Sequence, residues 1–199
     1  MFPLGTVLFP HGLLPLHVFE PRYRLLTERC LAGDRTFGVV LIERGHEVGG
    51  GDSRFDIGTL AQIVQAGRFE DGRYALVTVG KRRLRVRRWL TDDPYPRADI
   101  ELLDDVAGSA TREQIDEVAR TLRRVLALHA ELGTPVGSTD VALADDPVQA
   151  SFEAAARAPL QPLDALELLA LDDASERLAR LSELLHESAA VLEFRLGNG

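Results

Sequence analysis

Short apolar runs separated by glycine and charged residues fill the chain up to about residue 105. Such runs are typical of β-strands, which alternate side chains between two faces. The run FGVVLI at Phe37–Ile42 is uninterrupted, so we predict a strand buried on both faces. Many short strands without long helices between them favour a closed or partly closed β-barrel. The other predicted strands are Val7–Phe9, Leu13–Val18, Ile57–Gln65, Tyr74–Val79, Leu84–Trp89 and Ala98–Leu102.

One helix is predicted to interrupt these strands. Pro21 suits the first helical position and Gly33 the residue just beyond the end. Its apolar face is formed by Tyr23, Leu26 and Cys30. Asp71-Gly72 predicts a hairpin turn between two of the strands. The segment Arg44–Asp56 contains three consecutive glycines and is predicted to be a mobile loop.

After Gly108 the apolar period changes from two residues to about 3.6, as in helices. Thr111 and Gln114 have the spacing of a capping box, which predicts a helix start. Asp146-Pro147 predicts a second helix, extending to about Arg157. A short third helix is predicted from Pro162 to about Ala170, and a fourth after the cap Asp173–Glu176. This part of the chain is therefore predicted to be a helical bundle.

Charge divides the chain near the same place. Residues 1–105 carry 15 Arg and Lys against 15 Asp and Glu. Residues 106–199 carry the other 8 basic and 16 acidic residues, and hence the whole net charge of −8. With the change of period, this predicts two structural units, residues 1–105 and 106–199. The acidic balance disfavours nucleic acid as a partner, because phosphates attract basic surfaces.

Cys30 is the only cysteine, which excludes an internal disulfide framework and a cysteine-based metal cluster. No His or second Cys lies near it in sequence, so we expect a core residue and not a reactive thiol. No stretch approaches the roughly 18 apolar residues of a membrane span. The start, MFPLGTVLFPHG, lacks the basic segment of a signal peptide. These features predict a cytoplasmic protein.

Catalytic motifs are absent from the sequence. Lys81 is the only lysine, and its flanking residues do not form the Gly-x-x-x-x-Gly-Lys-Ser/Thr loop of a P-loop ATPase. The five histidines show no zinc-ligand spacing, and there is no GxSxG nucleophile elbow. We therefore predict a non-enzyme without metal or cofactor. The alternative, an unrecognised hydrolase, would need a deep pocket with converging polar groups.

An arginine-rich run surrounds Lys81, from Lys81 to Trp89. If this run is a strand, Leu84 and Val86 face inward while Arg83, Arg85 and Arg87 face outward. The preferred interpretation is a solvated strand face paired with neighbouring acids. The alternative is a phosphate-contacting face, because arginine binds phosphates well. It would lack the interleaved aromatics that single-strand binders use.

Ordered sequence blocks carry a family resemblance. The opening FPLGTVLFPHGLLPLHVFEPRYRLL, residues 2–26, resembles the start of Lon N-terminal domains. Later blocks of that family follow in its order, over roughly residues 2–105 and more thinly through the helices. They are Gly33-Asp34, Phe37–Val40, Ile57–Ala61, Asp71–Tyr74, Gly80–Val86 and Asp93–Tyr95.

The resemblance implies an α+β fold: a PUA-like β pseudo-barrel with one inserted helix, followed by a C-terminal α-helical bundle. In full-length Lon this region helps to recognise damaged or unfolded substrates and assists hexamer assembly. The chain ends at Gly199 without an ATPase or peptidase segment, so we expect a stand-alone module. The string HVFEPRY at residues 17–23 is typical of short members and departs from true proteases.

The expected function is a non-catalytic substrate- or peptide-binding module, an adaptor in protein quality control. Its expected partners are unfolded or exposed apolar protein segments, with a protease or chaperone. Glu20, Arg22 and Tyr23 are the candidate peptide-binding residues, because they crowd charge and an aromatic ring at one helix entrance. The alternative function is a PUA-like nucleic-acid-binding protein, with Arg83, Arg85 and Arg87 contacting phosphate. Structurally, Phe9, Leu16 and Phe19 are expected in the core.

Overall fold

The computed structural model describes residues 1–44 and 53–197. The predicted mobile loop therefore falls largely on residues 45–52, outside the described residues. Two compact units are present, Met1–Asp104, here the β unit, and Asp105–Gly199, here the helical unit. The elements are β1 Phe2–Leu4, β2 Leu13–Val18, α1 Pro21–Ala32, β3 Thr36–Arg44, β4 Ser53–Arg68, β5 Tyr74–Leu90, β6 Arg97–Leu102, α2 Arg112–Glu131, α3 Pro147–Arg157, α4 Pro162–Ala170 and α5 Ala174–Gly197.

A six-stranded sheet forms the β unit. Its pairing order is β1-β3-β4-β5-β2, and β6 also pairs with β5. Strand β1 runs parallel to β3, and the other pairs are antiparallel. Within residues 1–44 and 53–104, strand pairing does not join β1 to β2. The α+β fold class predicted from the sequence is confirmed, with strands first and four helices after them.

Several strand bounds differ from the predicted ones. Val7–Phe9 is not a strand, and the preceding Phe2–Leu4 occupies the sheet edge on β3. The predicted strands Tyr74–Val79 and Leu84–Trp89 are one continuous strand, β5. Strand β4 begins at Ser53 and extends to Arg68. Strands β4 and β5 are longer than predicted because they are paired along their length, and β5 pairs with the three strands β2, β4 and β6.

A β-bulge at Lys81 changes which face of β5 each side chain occupies. Leu60 pairs with Arg82, whereas the next residue, Ala61, pairs with Gly80, so Lys81 is the extra residue. An extra residue reverses the alternation of side chains beyond it. Arg83 therefore lies on the same face of β5 as the buried Thr78 and is 0% exposed, so the prediction that it faces outward is wrong. Leu84 and Val86, on the opposite face, are buried as predicted.

The main core of the β unit packs α1 against the sheet. Tyr23, Leu26 and Cys30 are buried there, as the predicted apolar face requires. The Cys30 thiol donates to the Thr36 carbonyl at 3.1 Å, and burial raises the pKa of this thiol. The helix ends at Gly33, whose φ of −117° is not left-handed; the left-handed residue is Arg35.

Local capping signals determine the helix bounds of the helical unit. The Thr111 hydroxyl accepts from the Gln114 N–H, and the Gln114 side chain accepts from the Thr111 N–H. Asp146 caps α3 through the Gln149 N–H at 2.8 Å. Asp173 accepts from the Ser175 N–H at 2.7 Å at the start of α5. The predicted capping box and the predicted starts of α2 and α3 are confirmed. Helix α5 begins at Ala174, inside the segment Asp173–Glu176 that was predicted to precede it.

Arg177 on α5 is buried in the middle of the helical unit. Its guanidinium contacts the Asp105 carboxylate at 2.9 Å and the Ser151 hydroxyl at 2.7 Å. The carbonyls of Leu168 and Leu171 accept from the same group. The guanidinium also stacks on the Phe152 ring, 3.7 Å from its centroid. One side chain thus links α5, α3, the end of α4 and the segment before α2.

No helix within residues 1–44 and 53–197 is both long and apolar enough to cross a membrane.

Candidate functional site

Strand β2 is the terminal strand of the sheet and carries exposed apolar residues. Its side chains alternate between exposed and half-buried, and only Val18 is fully buried. Leu13, the first residue of β2, is 70% exposed. Large apolar residues in such positions mark interaction surfaces when they lie together.

Gly80 on β5 holds the segment before β2, residues 9–12, in place through backbone hydrogen bonds and close packing. The Gly80 N–H donates to the Gly12 carbonyl at 2.9 Å, and its carbonyl accepts from the His11 N–H at 2.8 Å. A Cβ atom at Gly80 would lie 2.1 Å from the Phe9 carbonyl oxygen. Any side chain at this position would therefore displace the backbone that positions the start of β2.

A cleft of about 290 Å³ lies beside β2 within the β unit. We call it the β2 cleft. Residues of β1, together with Thr6, and residues at the start of α1 also line the cleft. Most of its lining residues are apolar, with a few polar ones among them, as in sites that bind apolar groups. The lining residues are Phe2, Leu4, Thr6, Leu14, Pro15, Leu16, His17, Val18, Phe19, Glu20 and Tyr23.

The three candidate residues from the sequence are neighbours at the entrance of α1. Glu20 precedes α1 without capping it and instead accepts from Arg22 Nε at 3.1 Å. The Arg22 guanidinium lies 4.5 Å from the centroid of the Tyr23 ring. Tyr23 is only 3% exposed and stacks on Phe2 with ring centroids 4.1 Å apart. Glu20 and Tyr23 line the cleft, but Tyr23 belongs to the core and not to the open surface.

An aromatic group missed by the sequence analysis lies at the exposed rim. Phe19 is 49% exposed, so the expectation that it is a core residue is wrong. Phe9 is buried as expected, and Leu16 is half-buried. The His17 ring lies 6.2 Å from the Phe19 ring and 6.0 Å, edge-on, from the Phe69 ring. Only the position of Phe19 after Val18, the last residue of an edge strand, could have indicated this exposure.

Chemically, the β2 cleft can hold apolar side chains and can anchor a chain by hydrogen bonds. Its polar lining residues are Thr6, His17, Glu20 and Tyr23. In the described part of the chain, no group of three His, Cys, Asp or Glu residues is arranged to hold a metal ion. The geometry therefore supports the binding of an apolar segment at this site.

Two further clefts lie within the helical unit. One, of about 540 Å³, lies between α2 and α5, where Val118 and Leu178 are nearly inaccessible and carboxylates form the rim. The other, of about 380 Å³, includes His129, whose buried Nδ1 lacks a hydrogen-bond partner among the described residues. Neither presents exposed apolar side chains on an open strand edge, and the β2 cleft is the better candidate.

The arginine-rich part of β5, residues 82–88, contacts acidic residues of β6 and of the segment that follows β6. Arg83 Nη2 donates to the Asp104 carbonyl at 2.9 Å. Arg87 forms an ion pair with Glu101, and Arg88 one with Asp99. Arg85 is half-buried opposite Glu101 in the register. These pairings favour the solvated, acid-paired strand face over a phosphate-contacting one.

Comparison with protein families matches residues 1–187 to the ATP-dependent protease La (LON) substrate-binding domain. The chain is 26% identical over 202 residues to a Lon protease of Cytophaga hutchinsonii, covering 96% of this chain and 24% of the relative. It is 30% identical over 142 residues to Lon protease 2 of Myxococcus xanthus, covering 69% of this chain and 17% of the relative. The chain thus spans about a quarter or less of these relatives.

Two solved structures share the fold. One is a Lon N-terminal domain protein from Xanthomonas campestris, with a TM-score of 0.67 and 28% identity, covering 90% of this chain and 94% of that one. The other is the N-terminal domain of the Mycobacterium avium complex Lon protease, with a TM-score of 0.57 over 92% of this chain and 96% of that one. At 20% identity, the second similarity shows the fold alone.

Proposed function

Because the chain belongs to the family of LON substrate-binding domains, we propose that it binds unfolded proteins through their exposed apolar segments. The β2 cleft is the proposed binding site. The observation that carries the proposal is the apolar cleft beside an edge strand with exposed Leu13 and Phe19. Unfolded chains expose apolar side chains and unpaired backbone together, and this site offers complementary groups for both.

In this proposal the chain itself catalyses no reaction. It delivers bound segments to a protease or chaperone, as an adaptor in cytoplasmic protein quality control. The mostly apolar lining of the β2 cleft supports this proposal, because apolar side chains can bind an apolar protein segment but cannot cleave its peptide bonds. The proteolytic activity of the Lon relatives belongs to proteins about four times as long.

Glu20, Arg22 and Tyr23 have different roles in the proposed site. Glu20 and Arg22 neutralise each other at 3.1 Å, so together they form a polar rim without strong net charge. Tyr23 supports the floor through its stack on Phe2. The proposed contacts with a bound apolar segment come from Leu14, Leu16 and Phe19.

Replacement of Phe19 by serine tests the proposal. Contact of a half-exposed phenylalanine with an apolar segment contributes on the order of 1–1.5 kcal/mol, which corresponds to roughly tenfold in Kd. We therefore expect Phe19→Ser to weaken binding of reduced, alkylated α-lactalbumin about tenfold. Affinity is measured by fluorescence anisotropy of the labelled, unfolded α-lactalbumin.

Phe194→Ser is the matched control, since Phe194 on α5 is 74% exposed but lies outside the β2 cleft. This control should bind as tightly as the unchanged chain, and native α-lactalbumin should not bind. Equal weakening by both substitutions would show that general surface hydrophobicity causes the binding. Failure of the folded, unchanged chain to bind the unfolded protein would reject the proposed function.

A further inference from the structure

The backbone of β2 has one side paired with β5 and one side free of strands. Leu14 lies opposite Thr78, whose hydroxyl donates to the Leu14 carbonyl at 2.8 Å. The Gly12 carbonyl, two residues earlier, accepts from the Gly80 N–H. In an antiparallel ladder, alternate residues direct their N–H and C=O toward the same neighbour. Gly12, Leu14 and Leu16 therefore face β5.

The intervening residues Leu13, Pro15 and His17 direct their backbone groups away from β5. Proline fits there, because the position requires no N–H for the ladder. No strand among residues 1–44 and 53–104 pairs with this side of β2. The free edge thus offers the carbonyls of all three residues and the N–H groups of Leu13 and His17.

The free edge and the β2 cleft are continuous. Pro15 and His17 lie on the edge and also line the cleft, together with the neighbouring Leu14 and Leu16. A chain extended along this edge would form backbone hydrogen bonds with β2 and place every second side chain toward the cleft. Because the backbone is the same at every residue, such pairing accepts many sequences.

We propose that a bound segment adds to the sheet as an extra strand on the free edge of β2, so that the occupant is a single extended polypeptide. This inference rests on the proposed function and specifies how the substrate is held. Its hydrogen bonds use the outward groups of Leu13, Pro15 and His17. The apolar side chains of the segment enter the β2 cleft.

Pro15 favours a foreign segment over a second copy of this chain. In a symmetric antiparallel pairing centred on β2, each Pro15 would face the other, and both hydrogen bonds of that pair would be missing. A foreign segment brings its own N–H group opposite Pro15, so only one bond is missing. Proline is one of the devices that protect edge strands from self-association.

Peptides with blocked N–H groups test the inference without changing the protein. The probe is a short, fluorescent peptide of alternating valine and threonine. One version carries N-methyl groups on alternate residues, which leaves one edge able to pair. Another carries the same number on adjacent residues, which interrupts both edges. We expect the alternate version to bind and the adjacent version to bind about tenfold more weakly, since tenfold equals about 1.4 kcal/mol, or one to two hydrogen bonds.

Two substitutions at His17 form the matching test on the protein. His17→Pro removes an outward N–H without removing a bond to β5, and should weaken peptide binding about tenfold. His17→Ala removes the ring but retains the N–H, so it measures the contribution of the ring alone, and His17→Pro should bind the peptide clearly more weakly than His17→Ala. Far-UV circular dichroism verifies that both variants are folded.

The outcomes separate this inference from the proposed function. Equal binding of both methylated peptides, together with binding of unfolded α-lactalbumin, would overturn strand addition and leave capture in the cleft. Absence of binding by every probe would overturn both. A dimer in sedimentation that His17→Pro dissociates would show that a second copy occupies the edge, which also contradicts the inference.

Discussion

Replacement of Arg177 by alanine is expected to lower the free energy of unfolding of the helical unit by about 3–5 kcal/mol. The substitution removes the guanidinium that contacts the Asp105 carboxylate and that donates to the carbonyls of Leu168 and Leu171. It also opens a cavity against Phe152. Since domains are stable by only about 5–15 kcal/mol, this is a large share of the total.

Urea unfolding monitored by helical circular dichroism measures this effect, because four of the five helices lie in the helical unit. Arg180→Ala, three residues further on α5, is the control, since its ion pairs with Glu167 and Glu183 are exposed to solvent. We expect a much smaller shift for the control. Similar shifts for the two variants would contradict the assignment of Arg177 as the organising side chain.

Replacement of Arg83 by alanine is expected to destabilise the β unit by about 2–4 kcal/mol. Arg83 is fully buried, and its guanidinium donates to the Asp104 carbonyl. Its loss leaves a cavity in the sheet and removes a tie to the segment that follows β6. Trp89 is the only tryptophan and lies on the same strand, so its fluorescence monitors unfolding of the β unit.

Arg87→Ala is the control on the same strand. The Arg87 side chain is mostly solvent-exposed and pairs with Glu101 on β6. Removal of an exposed ion pair is expected to change stability by no more than about 0.5–1 kcal/mol. If Arg87→Ala destabilised the β unit as much as Arg83→Ala, burial of Arg83 would not be the cause.

Features that depend on neighbouring residues were predictable from the sequence. The capping box at Thr111, the Asp146-Pro147 start and the bounds of α4 all depend on contacts within one helical turn. The hairpin at Asp71-Gly72 is also local, with Gly72 at a φ of 81°. The apolar run at Phe37–Ile42 correctly predicted a strand buried on both faces, because it contains no polar residue that could face solvent.

Features that depend on distant pairing were not predictable. The bulge at Lys81 arises from the register between β4 and β5, and it places Arg83 on the same face of β5 as the buried Thr78. Strand alternation cannot reveal an extra residue whose partner lies elsewhere in the chain. Gly33 follows the end of α1 as predicted, but the left-handed residue is Arg35, two positions later, which nothing in the local sequence indicated.

The candidate binding residues stay a prediction, although the structure shows where their side chains lie. Glu20 and Tyr23 line the β2 cleft, but Tyr23 packs in the core. Phe19, expected in the core, lies at the exposed rim instead. A single sequence does not show whether an aromatic residue near the end of a strand is buried or exposed. The fold was therefore needed to tell the buried Tyr23 from the exposed Phe19.

Photocrosslinking from Phe19 tests the central claim most directly. A benzophenone-bearing phenylalanine is placed at Phe19 in one variant and at Phe194 in another, and each is irradiated with unfolded α-lactalbumin. We predict crosslinks from Phe19 that an excess of the valine–threonine peptide suppresses, and few from Phe194. Crosslinks that form equally at both positions, or only at Phe194, would contradict substrate binding in the β2 cleft.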